Sequence, residues 1–213
     1  MQVVVFDLDN TLIKGNISFS FFLYLFLNKK ISLSRLFYPL IKFAKYHLGL
    51  LSLVDMHRLI FENFLKKQSL NFLKANVEPF LKAKIKKIIN TPVYNHLKHH
   101  LKEKNHVILM SSSPDFLVNP LAEILGIKNS YATSYLLDSL GRISDVNYFL
   151  EGMVKAQFLD DHLKIDKLKY EKIVGFSDSI NDLPLLKKCD EVYLVNPKRK
   201  LTKKFDSKIC KII

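Results

Sequence analysis

Residues Val3–Leu12 read VVVFDLDNTL: four apolar side chains, then two aspartates, Asp7 and Asp9, separated by one leucine. A short uninterrupted apolar run is the mark of a strand buried on both faces, as in the interior of a parallel sheet. Alternate residues of a strand share a face, so continued extension would turn Asp7 and Asp9 the same way. A carboxylate that leaves water pays a heavy desolvation cost unless it is paired or metal-bound. Two of them at the end of the most buried element therefore point to a rim where a ligand meets the sheet.

The same grammar recurs after Pro92. YNHLKHHLKEKN reads as a helix, and HVILMSSS as a second buried strand ending in serines. FLVNPLAEILGI reads as a helix closed by Gly126, and YATSYLLDSLGRIS as an extended pair around a turn at Ser139–Arg142. GMVKAQFLDDHLKI is a helix, KIVGFSDS a third buried strand ending in an acid, and DEVYLVN a last strand. Strands alternating with helices predict an α/β fold with a parallel sheet and right-handed crossovers. In such sheets the ligand crevice lies beyond the carboxyl ends of the strands, where these acids and serines fall.

Between the first two strands the sequence changes character. ISFSFFLYLFL, residues 17–27, is an aromatic-rich apolar run of helical length, short of the roughly 20 apolar residues that a membrane span needs. Two longer stretches, 31–54 and 56–90, repeat apolar residues every three or four positions with lysines between, the amphipathic helical pattern. Pro39, Gly49, Pro79 and Pro92 are expected to divide them into several helices of a small bundle. Charge follows the same division. Residues 14–90 hold 14 Lys/Arg against Asp55, Glu62 and Glu78, a surplus of 11, whereas the rest of the 213-residue chain carries only +2 of its +13. The organisation expected is a core of residues 1–13 and 91–213 with an inserted helical domain at 14–90.

Apolar residues at 48% and charged ones at 25% are a globular balance, which excludes a disordered chain. Cys189 and Cys210 are too few for a disulfide framework and lie in no metal-ligand spacing. A first strand starting at about residue 2 leaves no room for a leader, so the cytoplasm is the expected compartment, with peripheral membrane contact through the basic apolar insertion a further expectation.

Three strand ends carry chemistry. The first supplies Asp7, Asp9 and Thr11; the second Ser111 and its neighbours; the third Asp178 and Asp182. Lys155 opens the helix between the last two. Asp7 with Asp178 suits Mg2+, which takes a few carboxylates and keeps several waters. Hydroxyls, backbone N–H groups and a lysine suit a dianionic phosphoryl group. Together these describe phosphoryl transfer, in which catalysis is chiefly positioning and charge neutralisation. Taken singly, Asp9, Asn10, Ser112 and Ser113 are ordinary turn formers and Asp7 an ordinary cap; only their joint order makes a site. His96, His99 and His100 lie on a lysine-rich helix and read as a solvated face rather than a metal set.

DLDNT, LMSSS, Lys155 and GFSDSINDLPLL, in this order, resemble the four motifs of the haloacid dehalogenase superfamily. The helical insertion directly after the first motif resembles its C1-type cap, and SSSPDFLVNPLAEILG with SDSINDLPLL resembles the phosphoserine phosphatase-like branch. The resemblance implies a Rossmann-like three-layer core and a Mg2+-dependent phosphomonoesterase. It implies Asp7 as a nucleophile that forms an aspartyl phosphate, and Asp9 as the acid and base. Thr11 would steady the loop, Ser111 and the Ser112 N–H would bind phosphate oxygens, and Lys155 would neutralise them. Asp178 would hold the metal with Asp7 and the Asp9 carbonyl, supported by Asp182 and Asn181.

The substrate is less defined. Phosphoserine phosphatases carry an acid shortly after the first motif for the substrate amino group; here that place falls near Asn16, without Asp or Glu. Arg35 and Arg58 are the cap arginines available to a carboxylate. A small phosphorylated metabolite is the first reading. A lipid phosphate of the phosphatidylglycerophosphate type is the second, since the insertion is apolar and basic. A non-catalytic nucleic-acid binder is the reading from another class; it has the charge but no recognition motif, so no nucleic-acid partner is expected.

Overall fold

The computed structural model describes residues 1–165, 169–205 and 210–213. The opening run forms β1 (Val3–Asp7), and every one of its residues is buried. The helices α1 (Ile17–Leu27), α2 (Leu33–His47), α3 (Leu53–Ile60) and α4 (Leu70–Ile88) follow before α5 (Thr91–Lys102) returns the chain to the sheet. Then come β2 (His106–Pro114), α6 (Asp115–Ile124), β3 (Asn129–Leu137), β4 (Ile143–Tyr148), α7 (Gly152–Ile165) and β5 (Ile173–Ser177). The chain ends through α8 (Leu183–Leu186), β6 (Glu191–Leu194), α9 (Arg199–Thr202) and β7 (Cys210–Ile212), so DEVYLVN is not the last strand.

Among the described residues seven strands form one sheet in the order β4-β3-β2-β1-β5-β6-β7. All pairings are parallel except β3 with β4, the extended pair around the Ser139–Arg142 turn. Val4 and Phe6 point to one side, packing with α5, α6 and the inserted helices; Val3 and Val5 point to the other, against α7, α8 and α9. This is a three-layer α/β architecture. The alternation also fixes Asp7, which shares the Val3/Val5 side and so faces α7.

The inserted segment leaves and returns through adjacent backbone. Lys14 N–H donates to the Ile88 carbonyl at 2.6 Å, Asn90 N–H to Leu12 at 3.0 Å, and the Asn90 side chain to Thr11 at 2.9 Å. Asn16, Ser52 and Ser69 cap α1, α3 and α4 by accepting first-turn N–H groups. The apolar face of the insertion is continuous with the body: Phe21 lies against Phe80 and Phe116, with ring centroids 5.3 and 6.3 Å apart.

Three local expectations change. Pro79 does not end a helix but sits inside α4, where burial of Val77, Phe80 and Leu81 outweighs one lost hydrogen bond. The stretch after α3 widens into a π-helical turn, Phe61–Leu65, closed by the Lys66 N–H to the Phe61 carbonyl, instead of running on into α4. The histidines of α5 are not one solvated face. His99 is exposed, His96 packs on Phe176 and Tyr193, and His100 is buried with Nδ1 3.1 Å from the Asn105 amide nitrogen. Asn105 Oδ1 accepts from Gln2 N–H, so its amide group must donate to Nδ1, and burial pushes the His100 pKa down to about 4.

Candidate functional site

The ends of β1, β2 and β5 are neighbours, because β1 lies between the other two. Asp7 ends β1, Ser111 falls near the end of β2, and Asp178 follows β5 directly. Of the predicted residues, Asp7, Thr11, Lys155, Asp178 and Asp182 form one hydrogen-bonded cluster, and Asp9 with Ser111 forms a second.

Extension does not persist from Asp7 to Asp9. Asn10 takes a left-handed φ of 57°, and the two carboxylates find different partners. Asp7 Oδ1 accepts from Lys155 Nζ at 2.6 Å, and its Oδ2 lies 3.0 Å from the Thr11 hydroxyl. Asp9 turns to the other side of the crevice. Its Oδ1 accepts the Ile17 N–H at the start of α1 at 2.6 Å, and its Oδ2 accepts from Ser113 at 2.7 Å and Ser111 at 3.4 Å.

Thr11 links two strand ends. Its Oγ1 accepts the Asp178 N–H at 3.0 Å and stands 3.3 Å from Asp178 Oδ1 as well as beside Asp7. One hydroxyl proton serves one carboxylate at a time, so Asp7 and Asp178 converge with less than their full complement of donors. Lys155 is buried and spans Asp7 and Asp182, 2.9 Å from Asp182 Oδ1. Ser177 donates to the other Asp182 oxygen at 2.7 Å. Asp182 therefore directly anchors the lysine. Asn181 reaches the insertion instead, where its side chain hydrogen-bonds Tyr46 of α2.

Burial and crowding set the charges. Burial drives the Asp7 carboxyl well above the ordinary range; Lys155 pulls it back, while Asp182 and Asp178 push it up. Asp178 is raised to about 6 by burial and then by Asp182. Burial also raises Asp9, against the hydrogen bonds from Ser113 and Ile17 N–H. For Lys155 burial works against the ammonium, but Asp182 and Asp7 outweigh it and hold the group above its usual value. A second cation beside Asp7 and Asp178 would relieve this excess of negative charge. Among the described residues no three His, Cys, Asp or Glu side chains form a ligand cage; Mg2+, which takes one or two carboxylates and retains waters, fits such a sparse donor set.

Near the end of β2 the pairing with β3 shifts register between Ser111 and Pro114, a bulge that re-aims the serines. Ser111 is fully buried and its Oγ accepts the Ser113 N–H at 3.1 Å. The Ser112 carbonyl accepts from Thr133, and Ser113 lies between Asp9 and the Ser18 hydroxyl of α1. Ser113, Ser177 and Tyr46 are contributors that the spacing did not single out; Ser113 and Ser177 were legible only as hydroxyls at strand ends. Arg58 is exposed, and the Arg35 side chain lies outside the described residues.

Several known proteins share sequence or fold with this chain. A "Probable phosphatase" of Mycobacterium tuberculosis strain H37Rv is 31% identical over 97 residues, covering 46% of this chain and 34% of that protein. This chain thus spans about a third of that relative's length. A Bordetella pertussis Tohama I protein of unknown function superposes with a TM-score of 0.85 at 20% identity, covering 100% of this chain and 97% of that one. A phosphoserine phosphatase, as its phospho-aspartyl intermediate analogue, has a TM-score of 0.67 at 20% identity, covering 98% and 91%. At these identities the structures share the fold. The family model for haloacid dehalogenase-like hydrolases matches residues 4–187, from β1 through α8, and on that match the chain belongs to the haloacid dehalogenase-like hydrolases.

Proposed function

We propose that this protein hydrolyses phosphomonoesters through an aspartyl phosphate on Asp7, with residues 14–90 as a cap over the crevice. The observation that carries the reading is the set of contacts around Asp7: a buried carboxylate held by Lys155 on one oxygen and by Thr11, shared with Asp178, on the other. The name of the mycobacterial relative and the phospho-aspartyl form of the phosphoserine phosphatase support it.

Asp7 would hold Mg2+ together with Asp178, and the ion would supply charge neutralisation for the phosphoryl oxygens. An Asp7 oxygen forms the new bond to phosphorus as the ester P–O bond breaks. Lys155 fixes the attacking carboxylate and adds positive charge beside the phosphoryl group. Burial lets Asp9 carry a proton, which passes to the leaving oxygen; Asp9 then takes a proton from the water that cleaves the aspartyl phosphate. Ser111, Ser113 and the Ile17 N–H hold Asp9 in position for both transfers.

Asp7→Asn is expected to lose phosphate release by at least roughly 100-fold. Asp9→Asn, given p-nitrophenyl phosphate, whose leaving group needs no proton, is expected to release nitrophenolate in a burst and retain covalent phosphate on Asp7. Turnover by purified Asp7→Asn at the wild-type rate would refute the mechanism.

The lipid-phosphate alternative keeps one specific support. Phe37, Ile41, Leu48 and Leu50 of the α2 region are 55%, 48%, 74% and 67% exposed, with Lys45 exposed among them. Such a surface suits anionic headgroups above apolar chains. Co-sedimentation with anionic vesicles, lost in Phe37→Ser/Ile41→Ser, would favour it; equal recovery from neutral and anionic vesicles would count against it.

A further inference from the structure

Ser18 of α1 and Ser112 of β2 border a pocket that opens beside Asp9. Ser18 bonds Ser113, and Ser113 bonds the Asp9 carboxylate, so the pocket begins one hydroxyl away from the residue assigned to protonate the leaving oxygen. Its walls are apolar: Phe22, Met56, Ile60, Leu65 and Tyr135 line it from α1, α3, the π-helical turn and β3. π-helical turns are uncommon and are found frequently at functional sites.

One polar side chain in this lining has an unmet need. Among the described residues His57 Nδ1 is buried without a hydrogen-bond partner, and its ring packs 5.8 Å from that of Phe149. Burial pushes the imidazole down to about 4, so it is neutral at physiological pH. The other ionisable lining group, Tyr135, is held neutral by burial. No Asp, Glu, Lys or Arg is among the described lining residues. Asn16, near the place where the resemblance to phosphoserine phosphatases would put an acid, uses its side-chain oxygen to cap α1.

Resting on the phosphatase reading, we propose that this pocket receives the alcohol part of the substrate, an uncharged alcohol with a compact aromatic or branched apolar body and a second hydroxyl that pairs with His57 Nδ1. A hydroxyl both donates and accepts, so it satisfies Nδ1 in either neutral tautomer. An ammonium or carboxylate would enter an apolar pocket with no counter-charge, at a desolvation cost that nothing there offsets. Zwitterionic amino-acid phosphates are thus rejected, and phosphoserine with them.

The test is phosphate release with Mg2+ from four esters: p-nitrophenyl phosphate, 4-hydroxyphenethyl phosphate esterified on the alkyl oxygen, phenethyl phosphate and phosphoserine. The expected kcat/KM for the hydroxylated ester exceeds that of phenethyl phosphate roughly tenfold, the worth of one hydrogen bond to a buried group. Phenethyl phosphate exceeds phosphoserine by a further factor of about ten or more. In His57→Leu the ratio between the two phenethyl esters falls to about one. Hydrolysis of p-nitrophenyl phosphate with phosphoserine preferred over both phenethyl esters would overturn the pocket assignment and leave the phosphatase reading standing. A ratio of one in the wild type would overturn the role of His57. Inertness toward all four esters would overturn the phosphatase reading, and this inference with it.

Discussion

Lys155 is the residue on which the polar cluster depends. It is 3% exposed and supplies the positive charge shared by Asp7 and Asp182. Removing one partner of a buried ion pair strands the other, at about 3–5 kcal/mol. Lys155→Met is therefore expected to lose about 3–5 kcal/mol of unfolding free energy at pH 7, read from urea denaturation. The deficit should depend on pH in a definite direction. Burial already raises Asp7 in the folded protein, and loss of Lys155 removes what chiefly lowers it. An acid with a raised folded-state pKa binds its proton more tightly when folded. The deficit should then change little below the folded-state pKa of wild-type Asp7, grow as pH rises through it, and level off once the still higher pKa of the variant is passed. A deficit that shrinks as pH rises would contradict this account.

At the level of elements, β5 lies so close to Leu186 of α8 and to Cys189 three residues beyond it that only glycine fits at its centre. A Cβ built on Gly175 would meet Cys189 Sγ at 2.6 Å and Leu186 Cδ2 at 3.0 Å. Gly175→Ala is expected to cost about 1–3 kcal/mol through overpacking. Adding Cys189→Ala should recover part of that loss, because the sulfur is the nearest obstacle, giving non-additivity of about 0.5–1 kcal/mol or more in urea midpoints. Strict additivity would mean that the helix simply moves. The distance matters for the site because Asp178 follows β5 directly and Asp182 precedes α8. A shift of α8 would thus move the lysine's second carboxylate.

For the whole molecule, the sheet gathers more buried negative charge than Lys155 balances, so a divalent cation should stabilise the fold itself. At 100 times its dissociation constant Mg2+ would add about 2.7 kcal/mol, which for a chain of this size raises Tm by about 5–10 °C. Asp178→Asn should abolish most of that shift, and chelation should remove phosphate release in parallel. An unchanged Tm in saturating Mg2+, with activity retained in chelator, would contradict the metal assignment. The surplus of positive charge lies mainly in residues 14–90, away from these acids in sequence, and it is carried on helices that also expose apolar side chains. Among the described residues no helix is long and apolar enough to cross a membrane.

A parallel sheet, its strands along the chain as far as β6 and the acids and hydroxyls at their ends were legible in the chain; the final strand and the order of strands across the sheet were not. Apolar runs report how many faces of an element are buried, and strand ends in a parallel sheet share one rim. The resemblance of four ordered motifs then put Lys155 with them. Which carboxylate meets which partner was not legible. Lys155 and Asp7 are 148 residues apart, and their pairing follows from β1 lying between β2 and β5, a matter of neighbours rather than of spacing. The turn after Asp7 likewise separated two aspartates that simple extension would have aligned, because the strand ends at Asp7 and Leu8 between them already lies in a turn. His100 could be placed only by tertiary packing, since a residue's helical face is readable but the polar group waiting behind it, here Asn105, is not. The pocket with His57 at its wall belongs to the same class. Segments distant in the chain, α1, α3 with the π-helical turn, β2 and β3, enclose it, and an unpartnered buried nitrogen exists only once they have closed around it.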